Sequence, residues 1–311
     1  MKSHITQNIG SRPRLEKQNP DRIQMLMEDF SQFCAEGVVV QDQMISVANG
    51  ISLRVTTFIP PTDKGNPAVL FVAGWITQIV AWKTALREMT KDFIVIYVET
   101  REKSSSRIVS NADQSISAIG EDIVALVDKL HLRENRYVLF GSSLGATVIV
   151  ECFHALVRKP RALVLISPNA VFRVPHIWKF IVQSFYPPLY ALIRPSVKWY
   201  LKNFRLNVKI DAAQYNKYRA ALDAADPWKL KKAVLAVASY EIWDRLESLS
   251  CPVLLIGASK DVLHEPDIFQ RIASKILHAT IIDLETNAKT HSEKVVEEFR
   301  SFLSQQDSTL F

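Results

Sequence analysis

The sequence is poor in the residues that staple small folds or gather metal ions. Its 311 residues include three cysteines, Cys34, Cys152 and Cys251, far apart and set in apolar runs. An odd, scattered set offers neither a disulfide framework nor a metal-ligand spacing, and it fits a reducing compartment. Glycine is scarce as well, at nine residues, which excludes collagen-like repeats and flexible low-complexity tracts. No apolar run approaches the roughly 20 residues of a membrane span. The longest, Ile177 to Ile193, is interrupted by Lys179, Gln183, Ser184, Pro187 and Pro188. Met1 to Gly10 lacks the apolar h-region of a secretory signal, so a cytoplasmic location is expected. Acidic residues are missing from one window. Between Phe172 and Ile210 stand Arg173, Lys179, Arg194, Lys198, Lys202, Arg205 and Lys209 with no aspartate or glutamate, which exceeds the chain's whole net charge of +6.

What is present is a globular composition, 48% hydrophobic and 23% charged, long enough for one large domain with an insertion. Residues 1 to 20 read as a polar arm, and a helix carrying Met25, Leu26, Phe30 and Phe33 on one face is expected to end at Gly37. Val38 to Val47 and Ile51 to Ile59 flank Asn49-Gly50 and read as a hairpin with a type I′ turn. Short apolar runs then alternate with amphipathic segments, the signature of a mostly parallel sheet covered by helices. The expected strands are Ala68 to Ala73, Phe93 to Val98, Tyr137 to Phe140, Ala162 to Ile166, Pro252 to Ile256 and Thr280 to Leu284, which with the hairpin make eight. Between Phe172 and Trp243 no strand pattern is seen, only proline-punctuated helical segments. The expected organisation is an arm and helix over 1–37, a core over 38–171 and 244–311, and a helical cap over 172–243 after the sixth strand.

The sharpest local signal is Gly141-Ser142-Ser143-Leu144-Gly145, directly after the strand Tyr137 to Phe140 and opening a helix. A serine in such a turn is held with its hydroxyl exposed above the sheet edge, the arrangement of a nucleophile elbow. Serine needs a base, and the base needs a group to orient it. Asp261 lies just past the strand ending at Gly257, and His291 lies in the loop before the last helix. His264 is the one rival base, and its closeness to Asp261 makes it a pocket residue in the preferred assignment. An oxyanion hole needs two backbone N–H donors, which Leu144 and Trp75 would supply.

With these residues in view, the sequence resembles the α/β-hydrolase superfamily, and within it the serine hydrolases with a helical lid, the esterases and monoacylglycerol-lipase-like enzymes. The resemblance runs from Val38 to the last helix and implies a Ser143, Asp261, His291 triad. The sequence departs from its relatives in two loops. Ala73-Gly74-Trp75-Ile76 replaces a common His-Gly, and Glu99-Thr100-Arg101-Glu102-Lys103-Ser104-Ser105-Ser106 keeps the acid, the arginine and the last serine of Asp-x-Arg-Gly-x-Gly-x-Ser without its glycines. A serine nucleophile disfavours the aspartate-dependent epoxide hydrolases and dehalogenases.

The expected reaction is hydrolysis of an ester or thioester with an apolar acyl group, with no metal or cofactor required. The expected substrate-pocket residues are Trp75, Ser142 and His264 around the site and Trp178, Phe185 and Tyr186 in the insertion, where nine of 29 aromatic residues fall between Phe172 and Phe204. Acyl transfer from the same acyl-enzyme, and a silent ligand-binding protein of the same fold, are the alternatives. The basic window suggests an acidic acyl-carrier protein or an anionic membrane surface as partner. Nucleic acid is not expected, because its basic residues alternate with large apolar ones.

Overall fold

The alternation of apolar runs and amphipathic segments produces the expected sheet. The computed structural model describes residues 29–109, 111–173, 176–261 and 266–308. The main sheet contains β1 (Val39–Ala48), β2 (Ile51–Ile59), β3 (Ala68–Val72), β4 (Val95–Glu99), β6 (Tyr137–Ser142), β7 (Ala162–Ile166), β10 (Val253–Gly257) and β11 (Ala279–Asp283). Their order is β1-β2-β4-β3-β6-β7-β10-β11, and the two-residue β5 (Arg107–Ile108) pairs with β2 off this path. The β1–β2 and β2–β4 pairings are antiparallel, and every pairing from β4 onward is parallel. The inner strands are buried on both faces, which is why they read as unbroken apolar runs.

Helices cover the two faces: α1 (Lys83–Met89), α2 (Ile116–Lys129), α3 (Leu144–Cys152), α9 (Pro266–Lys275) and α11 (Glu293–Ser308). Ser115 caps α2 by accepting from the Ala118 amide. Between the sheet strands β7 and β10 stand α4 (His176–Ser184), α5 (Tyr190–Tyr200), α6 (Ala212–Ala224), α7 (Pro227–Val237) and the short α8 (Trp243–Leu246). The four-residue α10 (Asn287–Thr290) precedes α11. Among the described residues no helix is long and apolar enough to cross a membrane. All three cysteines are buried, and burial pushes the Cys152 and Cys251 thiols up to about 12, as befits small core residues.

Three local expectations are corrected. The stretch from Phe172 to Trp243 is not free of strand: β8 (Val171–Arg173) and β9 (Ser239–Glu241) pair antiparallel at its two ends. Three residues are too few to show a period of two, so this ladder leaves no pattern in the sequence. The Asn49-Gly50 turn is not type I′, because only Gly50 has positive φ, and a bulge between Ser46 and Ala48 absorbs the difference. Ala162–Ile166 is the sixth strand of the main path, as expected, because the two-residue β5 lies off it. Of the expected N-terminal helix, Met25 and Leu26 lie outside the described residues, and Phe30–Phe33 forms a single 3₁₀ turn.

The loop after β4, which lacks its relatives' glycines, is fastened by charge. Thr100, Arg101, Glu102 and Lys103 are all buried. The Arg101 guanidinium donates to both Asp122 carboxylate oxygens at 2.6 Å and to the Asp113 carbonyl at 2.7 Å. Ser106 donates to the Glu99 carbonyl and accepts from the Arg54 amide, closing the loop onto β2. Asp122→Ala would leave the guanidinium buried without its partner and is expected to cost about 3–5 kcal/mol, measured by denaturant unfolding. A loss below about 1 kcal/mol would show that water replaces the carboxylate.

Candidate active site

The site is built at the C-terminal edge of the parallel strands, where connecting loops bring side chains from several strands together. Ser143 follows β6 and precedes α3, with φ 51° and ψ −117°. That conformation costs an L-residue roughly 1–3 kcal/mol and aims the side chain away from the strand it ends. Its amide donates to the Ile166 carbonyl of β7 at 2.8 Å, and its carbonyl accepts from the Thr147 amide at 3.0 Å. Crowding explains the glycines: a Cβ at Gly141 would lie 2.7 Å from Ala146 Cα, and one at Gly145 would fall on the Val72 carbonyl.

The loop after β3 reaches the same place. A Cβ at Gly74 would lie 3.4 Å from Ser143 Cβ, so the Gly74-Trp75 backbone passes beside the serine. The loop is tied by the Thr77 amide to the Gly74 carbonyl at 3.1 Å, and Ile76 has a φ of 46°. Asn169, after β7, donates from Nδ2 to Ser143 Oγ at 3.0 Å. Thr147 holds this asparagine, accepting from its amide at 3.1 Å and donating to its carbonyl at 3.0 Å.

His291 stands at the end of α10. Its Nδ1 lies 2.9 Å from the Asn287 carbonyl, which can only accept, so Nδ1 carries the proton and Nε2 presents a lone pair. Its ring stacks on Trp82 at 3.9 Å, and Trp82 packs edge-on against Phe71 of β3 and Phe140 of β6, three residues before the serine. The Asp261 carboxylate is buried after β10. It accepts from Gln214 Nε2 at 2.7 Å and from Asn287 Nδ2 at 3.0 Å. Asn287 thus joins the acid's loop to the histidine's.

A third group comes from α6. Lys217 Nζ donates to Asn287 Oδ1 at 2.6 Å and lies 3.3 Å from His291 Nε2. Burial pushes this ammonium down to about 8, against the upward pull of Asp261 and Asp211. Asp211 caps α6 by accepting from the Gln214 amide, and its second oxygen accepts from the Ala288 amide, both at 2.8 Å. Three side chains of one helix start therefore hold the loops that carry Asp261 and His291.

Sequence reasoning did not find Asn169, Gln214 or Lys217. Asn169 had one signal available, its place just after a strand next to the serine's own; Gln214 and Lys217 had none. Of the expected pocket residues, Ser142 closes β6 in register with Ile166. Trp75 is half-buried against the core with its indole N–H unpartnered. Phe185 and Tyr186 make their contacts within the helical segment, through Lys231 and Trp228 respectively. His264 and the Trp178 side chain lie outside the described residues.

Comparison with known proteins agrees with this architecture. The fold matches a hydrolase from Pseudomonas aeruginosa PA01 at TM-score 0.69 and 19% identity, covering 85% of this chain and 97% of that one. It matches a thermophilic esterase from Thermogutta terrifontis at 0.68 and 22%, covering 85% and 98%. The esterase RhEst1 from Rhodococcus sp. ECU1013 matches at 0.66 and 16%, again covering 85% and 98%. No curated protein matches the sequence. The family model described as serine aminopeptidase, S33, matches residues 109–283, a span that contains Ser143, Asn169, Lys217 and Asp261 and stops short of His291. With more than half of its length matched by that model and an α/β-hydrolase sheet throughout, the chain belongs to the S33 serine aminopeptidase family of α/β hydrolases.

Proposed function

We propose that this hydrolase cleaves an ester or thioester with an apolar acyl group through an acyl-enzyme on Ser143. The observation that carries the reading is the backbone of Ser143, held at φ 51° between β6 and α3. A fold keeps such a strained residue where its side chain has work to do. Ser143 Oγ attacks the acyl carbon while His291 Nε2 takes its proton, and the oxyanion is held by the amides of Leu144 and Trp75. Asp261 stabilises the imidazolium that forms. The C–O or C–S bond then breaks, His291 returns the proton to the leaving group, and water releases the acid by the same steps.

Lys217 bears on the substrate. The family's description names aminopeptidases, whose substrates carry an N-terminal ammonium. Such a group placed beside Lys217 would meet a like charge, which favours an acyl ester over an aminopeptide. Two of the structural neighbours are esterases. A fluorophosphonate probe should label the wild-type chain, and a p-nitrophenyl ester series should favour longer acyl chains. A folded protein that the probe does not label would refute the assignment.

Lys217 also predicts a pH effect. Its positive charge, 3.3 Å from the nitrogen that must be protonated, opposes formation of the imidazolium. Lys217→Met should move the acid limb of kcat/KM to higher pH by about one unit. The native lysine, held down to about 8 from 10.5, binds its proton less tightly than the unfolded chain does. Wild-type stability should therefore rise with pH across that interval, and the methionine variant should lack the rise. An unmoved acid limb in a folded variant would count against His291 as the base.

A further inference from the structure

We propose that α4 and α5, with the turn and the short helix that continue them to Arg205, form a surface that docks on anionic lipid bilayers. Eleven of the eighteen large apolar side chains exposed among the described residues lie between Ile177 and Ile210. They follow helical spacing. Ile177, Phe180 and Ile181 share one face of α4, while Leu189, Leu192, Ile193, Trp199, Tyr200 and Phe204 follow one face of α5 and its continuation. Leu192 is 75% exposed, Phe204 64% and Trp199 61%, values a side chain packed into this segment's own core would not reach. Phe204 stacks on Tyr200 and meets Trp199 edge-on, so the rings make a continuous outward patch.

The charge around the patch selects the occupant. The window from Phe172 to Ile210 holds seven basic residues and no acidic one. Arg194 and Lys198 pair with Asp223 on α6, whereas Lys202, Arg205 and Lys209 are exposed with no acidic residue in their window. An apolar face with aromatic residues, backed by a basic polar face, is the pattern of a helix lying in the headgroup region of a bilayer. Each lysine or arginine near an anionic surface adds to the attraction. A second copy of the chain fits poorly, because two such faces would bring like charges together.

The test is co-sedimentation of the full chain with phosphatidylcholine vesicles and with vesicles that also contain phosphatidylglycerol. The wild type should pellet with the anionic vesicles and be released by salt. Leu192→Ser/Trp199→Ser/Phe204→Ser should weaken binding on the order of a hundredfold or more, since it strips three large side chains from the contact. Lys202→Gln/Arg205→Gln/Lys209→Gln should weaken it on the order of a hundredfold as well. Both variants should melt like the wild type and hydrolyse a short, water-soluble ester at an unchanged rate. No pelleting with anionic vesicles at low salt, or pelleting that neither variant weakens, would overturn the proposal. Capture by an acidic acyl-carrier protein without vesicle binding would overturn it in favour of a protein partner. Sedimentation does not depend on turnover, so failure of the hydrolase assignment would leave this result standing.

Discussion

Ser143→Ala is expected to fold normally and to lose hydrolysis of a p-nitrophenyl ester on the order of a million-fold in kcat. The loss is large because no neighbour can replace the hydroxyl. Asn169 only donates to Ser143 Oγ, Leu144 offers a backbone amide, and His291 presents a lone pair with nothing to deprotonate. The residual rate would come from water attacking a carbonyl held by the remaining donors. Stability should barely change, because alanine carries the same Cβ through the same strained φ and ψ. Ser143→Gly separates the two effects. It should be equally inactive yet more stable than the alanine variant by about 1–3 kcal/mol, since glycine adopts φ 51° without strain. Denaturant unfolding and ester hydrolysis measured on the same preparations check both halves. Retained turnover in the alanine variant would remove Ser143 from the mechanism, and equal stability of the two variants would remove the strain.

The elbow was legible in the sequence because its requirements are local. A strand, a five-residue turn and a helix are consecutive, and close packing forces glycine at both ends of the turn. The eight long strands were legible for a related reason, since strands buried on both faces leave contiguous apolar runs. What escaped was tertiary. Gln214 and Lys217 sit on a helix start whose composition says nothing of Asp261 or His291, yet they bond to Asp261 and to Asn287. Asn169 reaches Ser143 only because β6 and β7 lie side by side. The loop after β4 shows the same limit from the other side. Glu102 and Ser104 stand where its relatives have glycines, and the sequence does not show that the retained Arg101 is fastened by a buried pair with Asp122 on α2.

Gly145→Ala is expected to cost more stability than any other single methyl added at the site, about 3–5 kcal/mol or enough to prevent folding. The new Cβ would be driven onto the Val72 carbonyl and would lie 2.8 Å from the Ala73 oxygen. Both atoms belong to the backbone at the end of β3, an inner strand paired on one side with β4 and on the other with β6. No rotamer change can relieve the clash, so either α3 lifts from the sheet or β3 gives up hydrogen bonds on both sides. The second route displaces Gly74 and Trp75, the next residues in the chain, and so disturbs the proposed oxyanion donor as well. Any fraction that folds should therefore hydrolyse esters more slowly than its folded concentration accounts for. Gly65→Ala provides the control: no heavy atom lies within 4 Å of its added Cβ, and its cost comes from φ +73° alone, about 1–2 kcal/mol. Equal destabilisation by the two substitutions would mean that the packing of α3 against β3 yields more readily than its close approach implies. A fully active Gly145→Ala protein would mean that the Gly74-Trp75 backbone is not needed to hold the oxyanion.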